Sequence, residues 1–294
     1  MKHANIVILA GGISSRMKAS ATETAAIDPT LREEARRKSK AMISIGTQAR
    51  PFLDYILYNI QAAGYHDVVI VVGELDASIR EYYEVRNGKH QFNRLSISYA
   101  TQKIPSGQKK PLGTADALLE ALNAKPSWRG QSFTVCNSDN LYSVNVLQTL
   151  LENNCQNAMI DYDRAALRFP EERIAAFAVI KKDSVGFLLD IIEKPDINEI
   201  VQAKDNTGRI GVSMNIFKLS YDAIMPILQT IPLHPIRREK ELPLAVRMLV
   251  EQQPQCMITI PFSEHVIDLT TQSDIPYVQQ YLKTQFPDFS LGLL

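Results

Sequence analysis

Three short stretches of this sequence carry residue types suited to chemistry on a phosphate. The first runs Leu9-Ala10-Gly11-Gly12-Ile13-Ser14-Ser15-Arg16. Paired glycines let the chain turn sharply and a ligand approach the backbone, and two hydroxyls and a guanidinium add donors, so the stretch outlines an anion site. It fits neither the G-x-G-x-x-G pattern of dinucleotide sites nor the G-x-x-x-x-G-K-[ST] pattern of P-loops. An ordinary strand-to-loop turn with an exposed arginine reads the same way. The second stretch is Leu112-Gly113-Thr114-Ala115-Asp116. Gly113 permits close backbone approach, and Thr114 is placed to cap a helix whose first amides would face a cleft. The third is Asn137-Ser138-Asp139-Asn140. A carboxylate just past a buried strand is exposed yet rigidly held, as a metal ligand serving a triphosphate must be. A turn-capping aspartate is the alternative.

The elements that must position these stretches follow from hydrophobic patterning. Ile6–Leu9, Asp67–Gly73 and Phe133–Cys136 are short, nearly continuous apolar runs, as in strands buried on both faces of a parallel sheet. Amphipathic helices are expected over 52–63, 77–83 and 114–123, with a further strand over 95–100. Strand, helix and strand at this spacing predict βαβ crossovers and hence a doubly wound, mostly parallel α/β sheet, whose sites lie at the carboxyl ends of strands. Residues 18–38 read as a flexible loop followed by a short helix, with Asp28 as cap and Pro29 in its first turn. Met42–Ile45 reads as a short strand or extended piece. The second half is richer in strands, expected over 158–162, 174–181, 187–192 and 257–260, with helices over 221–230, 242–252 and 273–283.

Composition narrows the classes. With 294 residues, 45% of them hydrophobic, the chain can bury a sizeable core. Lys plus Arg equals Asp plus Glu at 32 each, so no net field draws it to nucleic acid or an anionic membrane, and neither is an expected partner. The leading apolar run is too short for a signal-peptide core, and about eighteen consecutive apolar residues occur nowhere, so a cytoplasmic location is expected. Cys136, Cys155 and Cys256 are widely spaced and odd in number, which suits reduced thiols. His234 and His265 have no third ligand nearby in sequence and read as surface or packing residues. The oligomeric state is not fixed by sequence, and a homo-oligomer is compatible with it.

The glycine stretch resembles the L-A-G-G-x-[GS]-[TS]-R-M/L signature of the sugar-1-phosphate nucleotidyltransferases, and the other motifs follow in that family's order. The resemblance implies a Rossmann-like fold over a single domain, 1–294, with a nucleotide-binding half (1–150) and a strand-rich sugar-phosphate-binding half (151–294). It implies that Leu9, Ala10, Gly11, Gly12, Leu112, Gly113 and Thr114 hold the nucleotide. Ser39-Lys40 matches the family's [PS]-K, which with Arg16 would meet the triphosphate. Glu193-Lys194-Pro195 matches E-K-P, whose glutamate meets sugar hydroxyls and whose lysine meets the sugar phosphate. Asn215 matches a sugar contact in the element that follows. Asp268 stands where the family has the aspartate of D-x-G-T-P, so Asp139 and Asp268 would hold Mg²⁺. Ser138 and Thr270 replace glycines of the family pattern.

The reaction implied is attack of a sugar 1-phosphate on the α-phosphorus of a nucleoside triphosphate, with Arg16, Lys40 and Asp139 as the catalytic groups. Such chemistry needs positioning and charge neutralisation more than acid–base groups. Two other readings are a transferase with a non-sugar phosphate acceptor and a silent nucleotide-sugar-binding regulator. The motifs name neither base nor sugar.

Overall fold

The apolar run Asn5–Ala10 forms strand β1 in the computed structural model of the chain, which describes residues 3–19, 27–86, 92–287 and 289. Parallel partners flank β1 on both sides: β2 (Asp67–Gly73), with Ile8 opposite Ile70, and β4 (Ser132–Asn137), with Ile8 opposite Cys136. Strand β3 (Ser96–Gln102) continues the parallel set beyond β2. Alternation along β1 sends Ile6 and Ile8 to one face and Val7 and Leu9 to the other. Ile6 and Ile8 pack with the helix Phe52–Ala62. Val7 and Leu9 pack with the helices Thr114–Ala124, Tyr221–Thr230 and Leu242–Gln252. Each fully buried aliphatic side chain adds about 1.5–3 kcal/mol, which is why this run is apolar throughout.

After β4 come the two-residue strand β5 (Asn140–Leu141) and β6 (Asn157–Asp163), then β7 (Val179–Lys182) and β8 (Leu188–Ile192). Short β9 (Gly211–Val212), β10 (Ile216–Ser220), β11 (Met257–Phe262) and β12 (Ile267–Asp268) complete the set. The main sheet runs β3-β2-β1-β4-β10-β6-β9-β7-β8, with β11 also parallel to β6. Strand β10 is antiparallel to both β4 and β6 and joins the two halves of the chain into one sheet. Thus the sheet is mixed but mostly parallel, as patterning predicts. A separate ribbon pairs β12 with β5, setting Asp268 opposite Asn140.

Local differences from the sequence-based reading have physical causes. The expected strand over 174–181 begins as the helix Glu171–Ala175, entered through extended Pro170 with Glu171 and Glu172 in its first turn, and only Val179–Lys182 is strand. Met42–Ile45 is a 3₁₀ turn over Lys40–Met42 followed by extended chain; its alternation reflects burial of Ile43 and Ile45 without a strand partner. Asp28 does cap the helix Pro29–Arg37, accepting from the Thr30 amide at 2.8 Å. The part of the expected flexible loop at 20–26 lies outside the described residues. Cys136 is fully buried, and burial pushes its thiol well up from its ordinary range, leaving an inert core group. Among the described residues no helix is long and apolar enough to cross a membrane.

Candidate functional site

Strands β1 and β4 end side by side, with the Ser138 amide donating to the Leu9 carbonyl at 3.2 Å, so the glycine loop and Asp139 emerge together. A Cβ on Gly11 would sit 2.8 Å from Oε1 of Gln102, a side chain only 2% exposed, so that close approach requires glycine. Gln102 Nε2 donates to the Gly113 carbonyl at 2.8 Å and to Asp116 at 2.9 Å, tying the first loop to the second. Ser14 holds left-handed backbone (φ +56°), and its Oγ accepts from the Lys40 amide at 3.2 Å. That bond helps to offset the strain of a non-glycine residue there.

Lys40 is delivered by the helix Pro29–Arg37. Glu34 on that helix accepts from the Ser44 amide at 2.7 Å and pairs with Lys38, pinning the chain on both sides of Lys40. The Lys40 ammonium lies 2.6 Å from Asp139 Oδ2, with both side chains mostly buried. This pair joins the family's S-K and S-D-N motifs across 99 residues.

Thr114 does not cap its helix. Gly113 occupies the cap position, and Thr114 Oγ1 instead accepts from the Leu242 amide at 2.9 Å. Nor is the Ala115 amide free for a ligand, since it donates to the Lys240 carbonyl at 3.0 Å. The segment before the helix Leu242–Gln252 therefore locks the second loop and adds Arg237, Glu239 and Glu241 to the cleft wall. Burial comes first in raising Glu241 above its ordinary carboxyl range; Arg237 pulls it back and the charge of Glu193 adds to the rise. Gly113 has φ +105° and ψ −171°, a conformation almost confined to glycine, and a Cβ there would meet the Lys240 carbonyl oxygen at 2.7 Å. Gly113→Ala is expected to cost about 1–3 kcal/mol of stability, read by thermal unfolding.

The opposite wall carries Glu193 and Lys194, just past β8, and Asn215, just before β10. Lys194 (φ +50°) and Asn215 (φ +55°) are left-handed, as is Ser14, so three of the seven such non-glycine residues described line this cleft. The cavity measures about 690 Å³, and its walls bring together Leu9, Ala10, Gly11, Gly12, Arg16, Lys40, Gly113, Thr114, Asp139, Glu193, Lys194 and Asn215, all expected from sequence. Leu112 and Asp268 are not among the residues that line it.

Asp268 is 11% exposed at its side chain; Oδ2 lies 2.7 Å from Arg173, and Oδ1 accepts from Thr270 Oγ1 at 2.6 Å. Burial, then the nearby Asp139 charge, raises its carboxyl above the ordinary range, and Arg173 acts against that rise. Among the described residues no three or more His, Cys, Asp or Glu side chains cluster as a metal cage. Asp139, a carboxylate among the residues lining the cleft, is the donor type suited to a hard divalent cation that takes its other ligands from phosphate and water.

Next to this cluster His265 packs edge-on to Phe169 at 4.7 Å, and its Nδ1 accepts from the Arg168 amide. Burial, helped by Arg168 and Arg173, pushes it down to about 4. Its protonation is thus favoured in the unfolded chain, so its stabilising share is full above about pH 6.5 and is lost as pH falls towards 4. An NMR titration is expected to find this imidazole neutral at pH 5.5. His234, by contrast, accepts the Ile236 and Arg237 amides in a turn.

A cleft at the carboxyl ends of parallel strands, with a paired-glycine loop, a lysine–aspartate pair and a second lysine opposite, is that of a doubly wound α/β protein with donors of the kind phosphate takes. Comparison with known proteins sharpens that class. A family model described as Nucleotidyl transferase matches residues 31–225, and the chain belongs to this family. It is 25% identical over 223 residues to a glucose-1-phosphate adenylyltransferase of Anaeromyxobacter sp., covering 74% of this chain and 49% of that protein. The match to the enzyme of the same name from Corynebacterium diphtheriae is 23% over 196 residues, 65% of this chain and 44% of the other. The chain thus spans less than half the length of these curated relatives. The same fold is found in a UDP-glucose pyrophosphorylase complexed with UDP-glucose, at TM-score 0.68 and 17% identity over 97% of this chain and all of the other. A UDP-glucose pyrophosphorylase from Acinetobacter baumanii superposes at TM-score 0.67 and 16% identity over 98% and 95% of the two chains.

Sequence reasoning missed Gln102 and the Arg237–Leu242 wall. Gln102 ends a strand and carried a weak signal, since a buried amide at a strand's carboxyl end is well placed for a site. The wall segment offered no periodicity at all.

Proposed function

We propose that the chain transfers a nucleoside monophosphate from a nucleoside triphosphate to a sugar 1-phosphate, releasing pyrophosphate. The observation that carries this reading is the Lys40–Asp139 pair at the mouth of the glycine loop, with Lys194 and Glu193 across the same cleft. An oxygen of the sugar phosphate attacks the α-phosphorus, forming an O–P bond as the bond to the β-phosphate oxygen breaks. The nucleophile is already an anion, so no general base is needed. Gly11 and Gly12 let the backbone approach the triphosphate, and Arg16 and Lys40 offset its charge. Lys194 holds the attacking phosphate and Glu193 the sugar hydroxyls. Leu9, Ala10, Gly113 and Thr114 form the nucleotide side, with Gln102 tying the two loops together. Asp139 is proposed to hold magnesium, which when bound supplies Lewis-acid charge at the phosphate oxygens. Every other contribution is positioning and fixed charge.

The relatives named above act on glucose 1-phosphate or form UDP-glucose, so glucose 1-phosphate is the acceptor proposed first. Their names differ in the base. Pyrophosphate release, measured with Mg²⁺ for each common nucleoside triphosphate against glucose, mannose, galactose and N-acetylglucosamine 1-phosphates, tests the reading. Release confined to one pair is expected; none from any pair would favour the regulatory reading.

A further inference from the structure

Asp268 has a cation already. The guanidinium of Arg173, on the helix Glu171–Ala175, lies 2.7 Å from Asp268 Oδ2 and donates to Asp274 Oδ1 at 2.7 Å. Its carbon sits 4.7 Å from the centre of the Phe169 ring, fixing the plane of the group. Asp274 in turn accepts the Thr270 and Thr271 amides at 2.9 and 2.7 Å. The other Asp268 oxygen is taken by the Thr270 hydroxyl, so both oxygens have protein partners, and Asp268 is not among the residues lining the cleft. Backbone bonding carries this cluster to the site: the Leu269 amide donates to the Asp139 carbonyl at 2.8 Å, beside the β5–β12 pairing of Asn140 with Asp268.

We infer that in this chain Asp268 is not a metal ligand: Arg173 supplies its counter-charge, and Asp139 is the single carboxylate ligand of the cation. The inference rests on the proposed function only for the role of Asp139. Asp139 is paired as well, with Lys40 through Oδ2, but it lines the cleft, whereas both Asp268 oxygens are engaged and Asp268 does not line it. Here a divalent cation would have to displace a guanidinium held by two carboxylates and a ring. Thr270, which stands in place of a glycine of the family pattern, supplies the hydroxyl that occupies the remaining oxygen.

The test is Mn²⁺ binding to the full chain with inorganic pyrophosphate present, followed by electron paramagnetic resonance. Asp139→Asn is expected to weaken binding by about tenfold or more. Asp268→Asn is expected to leave it unchanged, and so is the paired variant Arg173→Met with Asp268→Asn, which keeps the site filled should the single change unfold. A comparable fall with the Asp268 variants, or no fall with Asp139→Asn, overturns the inference. A double-mutant cycle on unfolding provides a readout independent of turnover. Coupling between Arg173 and Asp268 is expected to be the same in chelator and in Mn²⁺ with pyrophosphate, and loss of that coupling with metal overturns the inference. Failure of the proposed function shows separately, as absent pyrophosphate release from wild type.

Discussion

Asp139→Asn is expected to cut pyrophosphate release by about 10²–10³-fold, equivalent to about 2.7–4 kcal/mol of transition-state stabilisation. The asparagine keeps the shape of the side chain and can still accept from Lys40 at the 2.6 Å contact, so the cleft keeps its geometry. What disappears is one negative charge where a hard cation and the phosphate oxygens must be brought together. The loss is expected in kcat, with the nucleotide still bound, because the glycine loop and Arg16 are untouched. Steady-state kinetics together with a nucleotide titration separate the two, and turnover within tenfold of wild type would remove Asp139 from the chemistry.

The second large effect concerns stability. Asp161, on β6, is fully buried and meets Lys182, at the end of β7, and Arg209, each at 2.7 Å. The chain leaves space for it by placing glycine at 211, where a Cβ would sit 1.9 Å from Asp161 Oδ1. Asp161→Ala strands two mostly buried cations. Removing one partner of such a group costs about 3–5 kcal/mol, and the lower end applies here because Asp205 still lies 3.3 Å from Lys182. For a chain of this size that is about 6–12 °C of melting temperature, read by calorimetry or circular dichroism. Replacing Asp161, Lys182 and Arg209 together by apolar residues of similar volume is expected to recover much of the loss.

Sequence alone carried the frame where one physical signal dominated. The apolar runs of β1 and β2 and the helices Tyr221–Thr230 and Leu242–Gln252 lie where patterning predicts. Of the strand expected over 174–181, patterning misled only at Ile174–Ala178, because a mixed apolar run is equally compatible with a buried helix end and a strand; Pro170 and the acid pair decided locally for a helix. In the site, the glycine loop, Asp139, Glu193, Lys194 and Asn215 converge because they sit at strand ends, where a doubly wound sheet brings distant segments together, while Lys40 and Gly113 arrive at helix ends. Contacts made by tertiary packing left no trace in spacing. Arg173 and Asp268 are 95 positions apart with no shared motif, and Thr114 looks like a cap until the Leu242 amide is seen to use its hydroxyl.

Strand β10 has a consequence for how the chain must assemble. Its residues are made about 80 positions after β4, yet they are the second neighbour that β4 needs. During synthesis the parallel set β3-β2-β1-β4 therefore waits with an apolar, unpaired edge at Phe133–Cys136. Closure at that edge joins two segments of high sequence separation, a slow step by loop entropy. The same strand leads directly out of Asn215, so that part of the cleft wall takes its place only when that edge is sealed, as the nascent sheet ceases to be sticky.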